Sequence, residues 1–489
     1  MLTPWQLDIL PNEIAALFEA LEDSIIGDIA RAVQKTGAIT ETSLYKLEQA
    51  QNMGYDLNSI RKGIAKTLEF SDKAVDALMN DAIKESYARD KSIFSAANMN
   101  PVKTPMSETY LQDYLKAVVQ QTNNELHNIT GSLGFKTPGG FQPIATAYQS
   151  AMDLAHLQVS SGVLDYNQAV RQAVKSLADS GLSYVDYETG RVNHLDVAVK
   201  RAVRTGITQT AGEMARLLAD EFGSTLMEIT AHAGARPDHA VWQGKIVDMS
   251  GKNLKYLKLS QIGYGEVTGF LGGGCRHNWF PYVEGFSTRA YTDEQLQNID
   301  PPPFEYNGKT YDAYHATQKQ RQMETAMRQT KRELAGYDAV GDTEAFTVSS
   351  AKLRAQRNEY LQFSNAAGLR AQNDAHQVLE YGRSLSSKSV WANRKLEDAI
   401  VNTGKATGLS SHAIDRMGGR GVKTSSILDA LNNPLDVGPL KYNKDGKPSN
   451  AYIGEKATVA VNPINGIIST VHPTKSRIAK KLKGKIEND

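Results

Sequence analysis

The segment HAGARPDHAVWQGK, residues 232–245, and the segment YGEVTGFLGGGCRHNWFPYVEG, residues 264–285, are the most distinctive parts of this sequence. Both contain glycines, and the stretch TLMEIT at residues 225–230 comes just before them. β-branched residues favour strands, and glycine permits tight turns. We therefore expect a compact β-rich subdomain over residues 223–289.

Histidine and cysteine are concentrated in these segments, as His232, His239, Cys275 and His277. Three imidazoles and one thiolate can complete a tetrahedral zinc site, so we expect one structural zinc ion here. The alternative is that the histidines form hydrogen bonds within a glycine-rich fold and that Cys275 is a small buried residue. A metalloenzyme is a third reading if water takes one ligand position, although no general base is evident beside the cluster.

The other notable side chains of the first segment are interpreted as structural. No nucleophile with an adjacent base can be assembled from Arg236, Asp238, Trp242 and Gln243. We expect Arg236 and Asp238 to bond the loop backbone and Trp242 to pack in the subdomain core.

The N-terminal part of the chain is predicted to be helical. From Glu13 to Phe94 apolar residues recur every three or four positions, with breaks near Gly37 and Gly54. We expect helices over residues 1–100, with a boundary in the Pro- and Asn-containing stretch near residues 97–107.

Residues 101–222 are predicted to form a second helical region. A helical pattern resumes from Glu108 to His127 and ends before the turn-rich segment GSLGFKTPGGFQ. Apolar and aromatic residues flank Glu-Thr-Gly in SYVDYETGRVNH, residues 183–194, which indicates a small β-hairpin between helices.

Residues 290–385 are predicted to form a connector followed by a helical hairpin. A run of three prolines favours an extended chain over residues 290–305. Charged segments with few glycines, Ala313–Tyr337 and Ala345–Tyr381, indicate two helices joined near Gly341.

A polar linker is expected over residues 386–405, and an α+β domain over residues 406–489. Its helix should begin with Ser410 or Ser411 as the N-cap and end at the pair Gly418-Gly419. Two alternating β-branched runs then surround a Pro-Ile-Asn-Gly turn. The predicted fold class is multidomain and mainly α-helical, with a small β-rich central subdomain and a C-terminal α+β domain.

The two glycine-rich segments, together with RAVRTGITQTAGEM before them and YHATQKQRQMETAMRQTKRE after them, resemble the phage minor capsid protein 2 family. That family is related to head morphogenesis proteins of tailed phages, and the resemblance covers roughly residues 1–385. It implies a virion protein, assembled in the host cytoplasm, with few copies per particle. Its expected partners are the portal and major capsid proteins.

The C-terminal part of the chain resembles phage-borne nuclease domains grouped with barnase, EndoU, the RNase colicins and RelE. The resemblance rests on the motifs HAIDRM, YIG and STVHPT, which occur in this order. The resemblance covers residues 406–478 and implies RNA cleavage without a metal or other cofactor. In such a reaction a base takes the 2′-hydroxyl proton, cationic side chains stabilise the phosphate charge, and an acid protonates the leaving oxygen.

His412 is the best candidate for the general base or acid, because histidine exchanges protons near neutral pH. Arg416 lies one helical turn away and Arg420 continues the stripe if the glycines do not break the helix, so both are candidate phosphate ligands. Second-rank catalytic candidates are Tyr452, Thr470, His472 and Thr474. The alternatives are an inactive domain that only binds nucleic acid and an unrelated α+β module.

The net charge of +1 hides an asymmetry between the two ends of the chain. Residues 1–100 hold 10 Lys+Arg against 15 Asp+Glu, whereas residues 406–489 hold 13 against 7. The basic tail consists of Lys475, Arg477, Lys480, Lys481, Lys483 and Lys485. It can bind the phosphates of RNA or packaged DNA, or simply solvate the terminus.

Other function classes are less compatible with this sequence. No apolar run approaches the ~20 residues of a membrane span, and the acidic N-terminal segment does not resemble a secretory signal, so we expect no membrane anchor. A single cysteine, Cys275, excludes an internal disulfide. An injected or secreted toxin with a nuclease effector is the alternative to a virion protein.

Overall fold

A computed structural model describes residues 2–36, 42–96, 109–137, 139–160, 166–186, 190–378, 380–443 and 446–486. The protein is multidomain and mainly α-helical, with several small sheets, which confirms the predicted fold class. The boundary predicted near residues 97–107 lies outside the described residues. Within the described ranges, no helix is both long and apolar enough to cross a membrane.

The N-terminal helices pack around one long central helix. Their bounds are Pro4–Ile9 (α1), Asn12–Thr36 (α2), Thr42–Ala96 (α3), Thr109–Gly131 (α4), Ile144–Ser160 (α5), Tyr166–Ser180 (α6) and Leu195–Glu221 (α7). The central helix is α7, which packs against α2, α3 and α4. A Cβ atom on Gly206 would lie 2.4 Å from Met79 Cε and 2.5 Å from Thr122 Oγ1. Glycine at this position therefore lets α3 and α4 approach α7 closely.

The helices predicted from Glu13 to Phe94 are confirmed as α2 and α3, but the break predicted near Gly54 is wrong. α3 continues through Gly54, which is exposed and has open space where a Cβ would be. One glycine inside a helix costs about 1 kcal/mol relative to alanine, and the packing of α3 against α2 and α7 offsets this. Gly37 lies outside the described residues.

Two hairpins form a four-stranded antiparallel sheet beside these helices. The strands, in the order β2-β1-β3-β4, are Leu133–Thr137 (β1), Gly140–Pro143 (β2), Leu182–Val185 (β3) and Val192–His194 (β4). β3 and β4 confirm the hairpin predicted at residues 183–194, whereas β1 and β2 were not predicted. A Cβ on Gly134 would lie 2.1 Å from the Gln142 carbonyl oxygen, so this glycine permits close approach of paired strands.

The central subdomain is a four-stranded sheet with glycine-rich loops, as predicted. Its elements are Leu226–Ile229 (β5), the short helix Pro237–Ala240 (α8), Ile246–Asp248 (β6), Leu257–Lys258 (β7) and Trp279–Pro281 (β8), with strand order β7-β6-β5-β8. Trp242, Phe270 and Trp279 pack in its core. Trp279 Nε1 donates a 2.8 Å hydrogen bond to the Gly212 carbonyl, which fixes the subdomain on α7.

The connector predicted as extended over residues 290–305 contains regular structure, which corrects that prediction. Thr292 caps a short helix, Asp293–Gln297 (α9). After the prolines, Phe304–Tyr306 (β9) and Lys309–Tyr311 (β10) form a hairpin. Its turn residues Asn307 and Gly308 both have positive φ, as an Asn-Gly hairpin turn requires.

The predicted helical hairpin is confirmed as Ala313–Ala339 (α10) and Thr343–Ala366 (α11). Asp312 and Asp342 cap the two helices by accepting backbone N–H hydrogen bonds. The second helix was predicted to end at Tyr381, but it ends at Ala366. Gly368 adopts a left-handed φ of +64° just beyond it, which is a common way for a helix to end.

The prediction of a polar linker over residues 386–405 is wrong, because most of this segment belongs to the helix Arg383–Val401 (α12). The buried positions recur at helical spacing and are Leu385, Ser389, Ala392, Asn393, Leu396 and Ile400. Leu396 and Ile400 pack with residues of α11 in the core of the C-terminal region. Helices α11 and α12 therefore complete that core.

The C-terminal region is a mixed sheet covered by helices, in agreement with the predicted α+β domain. Its elements are Gly408–Leu409 (β11), Ser411–Arg420 (α13), Thr424–Asn432 (α14), Asp436–Val437 (β12), Lys441–Tyr442 (β13), Pro448–Ile453 (β14), Ala457–Val461 (β15), Ile467–Pro473 (β16) and Ser476–Ile486 (α15). The sheet order is β11-β16-β15-β14-β12, and β13 also pairs with β14. Ser410 is the N-cap of α13, as predicted, but the helix passes Gly418-Gly419 and ends at Arg420, where Gly421 has positive φ.

Buried charges connect α2, α7 and α10. Arg332 pairs with Glu22 and Asp23, and Arg328 pairs with Asp196 at 2.8 Å. Burial raises the pKa of Glu22 to about 8, although the Arg332 guanidinium opposes the shift. A carboxyl group desolvated to this degree keeps its proton near neutral pH.

Candidate metal centre and candidate nucleic-acid surface

The fold of two loops brings His239, Cys275 and His277 together. His239 lies on α8, whereas Cys275 and His277 lie just before β8. The intervening loop folds back on itself, since a Cβ on Gly269 would lie 1.9 Å from the Gly263 carbonyl oxygen. Only glycine permits this approach, and the resulting turn carries Cys275 to α8.

The three side chains form a small triangle in the interior of the subdomain. His239 Nδ1 and His277 Nδ1 are 3.3 Å apart. Cys275 Sγ lies 3.8 Å from His239 Nδ1 and 3.7 Å from His277 Nδ1. The relative exposures are 3% for His239, 2% for Cys275 and 1% for His277, so solvent does not separate these atoms.

Carbonyl oxygens hold the outer edges of both imidazoles. His277 Nε2 lies 3.2 Å from Gln243 Oε1, which also accepts the backbone N–H of His232 at 3.0 Å. His239 Nε2 lies 3.0 Å from the Thr268 carbonyl oxygen. His277 Nε2 can therefore donate outward, His239 Nε2 also contacts Arg236 Nη2, and both Nδ1 atoms point into the cluster.

Burial governs the protonation of the cluster. It lowers the pKa of His239, and it lowers the pKa of His277 well below the ordinary value, with the neighbouring His232 acting in the same direction. Burial raises the pKa of the Cys275 thiol. Without a bound cation the imidazoles are neutral and the thiol keeps its proton at neutral pH.

The fourth predicted ligand, His232, does not join the triangle. Its ring stacks on that of His277 with a centroid distance of 4.6 Å, and its Nδ1 lies 2.9 Å from the Ala233 carbonyl oxygen. Burial lowers the pKa of His232 to about 4, and the nearby Arg276 adds to the shift. The group of ligand atoms that lie within reach of one cation is His239, Cys275 and His277.

The predictions for the other residues of segment 232–245 are confirmed only in part. Trp242 is buried in the subdomain core, as predicted. Arg236 donates to the Thr268 carbonyl, which confirms the predicted backbone contact, but Asp238 is exposed and pairs with Arg236 at 3.4 Å. Gln243 was interpreted as structural only, and its contact with the cluster was missed. No helical spacing signalled this contact, because α8 ends at Ala240 and Gln243 lies beyond it.

In the C-terminal region, His412 and Arg416 lie on one face of α13, as predicted. Both are exposed, and Arg416 Nε donates to His412 Nε2 at 3.4 Å. Arg420 continues along the helix and donates to the Val471 carbonyl of β16 at 3.1 Å. The three residues therefore lie along one side of α13, and Arg420 at its end contacts β16.

The other candidates divide between the two faces of the sheet. Tyr452 pairs with Val459 and packs against the core, on the face that also buries Val471. Thr470 and His472 alternate with Val471 and so face away from that core. Since Val471 packs with the buried side of α13, the strand does not turn Thr470 or His472 toward the helix.

His472 and Thr474 lie at the end of β16. Burial lowers the pKa of His472, and the positive charge of Arg420 acts in the same direction. The hydroxyls of Thr474 and Thr458 are 2.9 Å apart. Arg420 therefore places a positive charge near His472.

Helix α15 carries the predicted basic tail. Lys475, Arg477, Lys480 and Lys481 are exposed, and the last three share one helix face. Lys483 instead pairs with Glu455 at 2.7 Å. Lys485 lies in the helix, but its side chain is outside the described set.

Comparison with known proteins identifies relatives of most of the chain. Residues 2–365 match the family described as phage minor capsid protein 2. The chain is also 24% identical over 329 residues to a curated protein named "Structural protein" from Lactococcus phage LL-H, which covers 66% of this chain and 85% of that protein. No solved structure matches the chain. The family match includes the His239, Cys275 and His277 triangle and stops before α12.

Proposed function

The chain belongs to the phage minor capsid protein 2 family and is a structural component of a phage particle, and we propose that it is a head protein bound at the portal. In this proposal it is assembled into the head in the host cytoplasm and is present in few copies. Its direct partners are the portal protein and the major capsid protein.

The observation that carries this proposal is that the family match and the main hydrophobic core have nearly the same extent. The match covers residues 2–365, and one core cluster extends from Leu2 to Ala392. This cluster joins residues from Leu2 to Ala211 with residues from Ala316 to Ala392, and the central subdomain between them has a core of its own. A shared core of this size supports a rigid scaffold on which other proteins of a particle can assemble. The family membership also favours a virion protein over an injected or secreted toxin.

Co-expression with the portal protein of the same phage tests the proposed partner. We expect the two proteins to elute together in size-exclusion chromatography, whereas the major capsid protein expressed with this chain should not form an equally stable complex. Elution of this chain apart from the portal, at concentrations where the portal ring is intact, would contradict the proposal.

For the C-terminal region we propose RNA cleavage by His412 and Arg416 without a metal ion. Arg416 Nε donates to His412 Nε2 on an exposed surface, so this nitrogen carries no proton, and its lone pair is released when the guanidinium turns to a phosphate. Such a nitrogen can take the 2′-hydroxyl proton of RNA. The Arg416 guanidinium, held beside it, can stabilise the charge that develops on the attacked phosphate.

Nucleic-acid binding supports this activity and is proposed for α15 and Arg420. Exposed cations attract the phosphate backbone without regard to sequence. Arg477, Lys480 and Lys481 share one face of α15, which follows directly on β16 and its His472. The substrate in this proposal is RNA, and packaged DNA is bound through the same cations without cleavage.

A further inference from the structure

The sides of the triangle formed by His239, Cys275 and His277 match those of a tetrahedral zinc site. With Zn–N bonds of about 2.0–2.1 Å and a Zn–S bond of about 2.3 Å, two nitrogens lie about 3.4 Å apart and sulfur lies about 3.6 Å from each. The observed Nδ1–Nδ1 distance is 3.3 Å, and the two Sγ–Nδ1 distances are 3.7 and 3.8 Å. One ion can therefore bind all three atoms with little movement.

The hydrogen bonds around the triangle fix which nitrogen of His277 is free. Gln243 Oε1 accepts the backbone N–H of His232, and since an amide N–H can only donate, the atom that faces His277 Nε2 is an oxygen. His277 therefore carries its proton on Nε2. His239 Nε2 contacts both the Thr268 carbonyl oxygen, which accepts, and Arg236 Nη2, which donates, so these contacts do not fix the tautomer of His239.

This arrangement places a lone pair of His277 Nδ1 in a buried space, beside His239 Nδ1 at 3.3 Å and Cys275 Sγ at 3.7 Å. A cation between the three atoms can bind both nitrogens and the sulfur at once, whereas a single hydrogen bond between two of them satisfies one acceptor. Outer hydrogen bonds from ligating histidines to carbonyl oxygens are the usual second layer of a zinc site.

We propose that this protein binds one structural Zn²⁺ ion through His239 Nδ1, His277 Nδ1 and Cys275 Sγ. His232 does not supply a fourth ligand, because its ring stacks on His277 and its Nδ1 lies against a backbone carbonyl. The ion ties α8 to the glycine-rich loop that precedes β8. This assignment is independent of the role at the portal and of RNA cleavage.

Metal analysis of the full-length protein, purified without added metal, is the first test. We expect about one zinc per chain in the wild type and in His232→Gln, and loss of zinc in Cys275→Ser and His277→Gln. His315→Gln, which alters an exposed histidine on α10, serves as the control and should retain the metal. Circular dichroism establishes that each variant is folded.

Cobalt replacement keeps the test decisive where a variant fails to fold. The wild-type protein, stripped by chelator and titrated with Co²⁺, should give the intense visible bands of tetrahedral cobalt together with a thiolate-to-cobalt charge-transfer band. Added Zn²⁺ should abolish these bands at one equivalent. The proposal is overturned if folded wild-type protein takes up neither ion, or if the cobalt spectrum lacks the thiolate band. It is also overturned if folded His232→Gln is the one variant that loses zinc.

Discussion

His239 and His277 direct their Nδ1 atoms at each other across 3.3 Å in the interior of the central subdomain. With both rings neutral and the Cys275 thiol protonated, a zinc ion must displace one proton, that of the thiol. Burial raises the pKa of this thiol and lowers the pKa of both histidines. Between pH 6 and 8, zinc therefore competes with a proton at the thiol and not at the imidazoles.

The first prediction is therefore a zinc affinity that weakens about tenfold for each unit of decrease in pH over this range. Competition with a chromophoric chelator at pH 6, 7 and 8 measures the slope, after correction for the protonation of the chelator itself. A slope near zero would mean that the thiol is not a ligand. A slope of two or more would mean that the histidines are protonated, contrary to their burial.

Glu22 supports a second prediction, on stability. Its pKa is raised by burial to about 8, from an ordinary value of 4.5, so the folded state holds a proton that the unfolded state releases. Stability from this group is present below about pH 4.5 and declines as the pH rises toward 8. Glu22→Gln, which mimics the protonated group, should lose this dependence.

Denaturant unfolding at pH 5 and pH 8 measures this effect. The free energy of unfolding of the wild type, relative to Glu22→Gln, should fall by about 2–4 kcal/mol between the two pH values. Glu397→Gln, an exposed substitution on α12, is the control and should follow the wild type. If the difference in free energy of unfolding between wild type and Glu22→Gln is the same at pH 5 and pH 8, Arg332 keeps Glu22 ionised.

Much of the fold follows from apolar periodicity, and the errors have identifiable causes. The apolar spacing of three and four predicted α2 and α3, and charged segments with few glycines predicted α10 and α11. Serines in GRSLSSKSV obscured α12, although its buried positions, including Leu396 and Ile400, keep helical spacing. The Asn307-Gly308 hairpin was overlooked beside the three prolines, although Asn-Gly is a strong turn signal.

The candidate metal centre was only partly predictable. The spacing of Cys275 and His277 in one loop and His239 in another indicated a cluster, which the structure assembles. Whether His232 or Gln243 faces His277 depends on loop geometry, which no periodicity describes. Stacking and one backbone hydrogen bond decide it: His232 lies flat on the ring, and Gln243 Oε1 contacts its edge.

A third prediction concerns catalysis. His412→Ala should reduce cleavage of RNA by the full-length protein about 10²–10⁴-fold in the presence of EDTA, because the proposed base is lost. Arg416→Ala should also slow cleavage, through weaker stabilisation of the phosphate charge. His315→Ala removes another exposed histidine and should have no effect. If wild type and His412→Ala cleave RNA at equal rates, His412 is not the base. If the wild type does not cleave RNA, only a binding role for this domain is left.

The fourth prediction tests the basic face of α15. Substitution of Arg477, Lys480 and Lys481 by glutamine should weaken binding of single-stranded RNA and reduce the salt slope of log K by about 2, since each lost phosphate contact removes about 0.7. The matched control replaces Lys62, Lys66 and Lys84, exposed residues of α3, with glutamine. An equal loss of affinity in both triple variants would point to net charge and not to a surface on α15.

Cross-linking mass spectrometry of purified phage particles tests the proposed role at the portal most directly. We predict cross-links from residues 2–365, the part that matches the minor capsid family, to the portal protein, with fewer to the major capsid protein. The copy number of this chain should be close to that of the portal and far below that of the capsid. Absence of the chain from intact particles, or cross-links to the major capsid protein alone, would contradict the account.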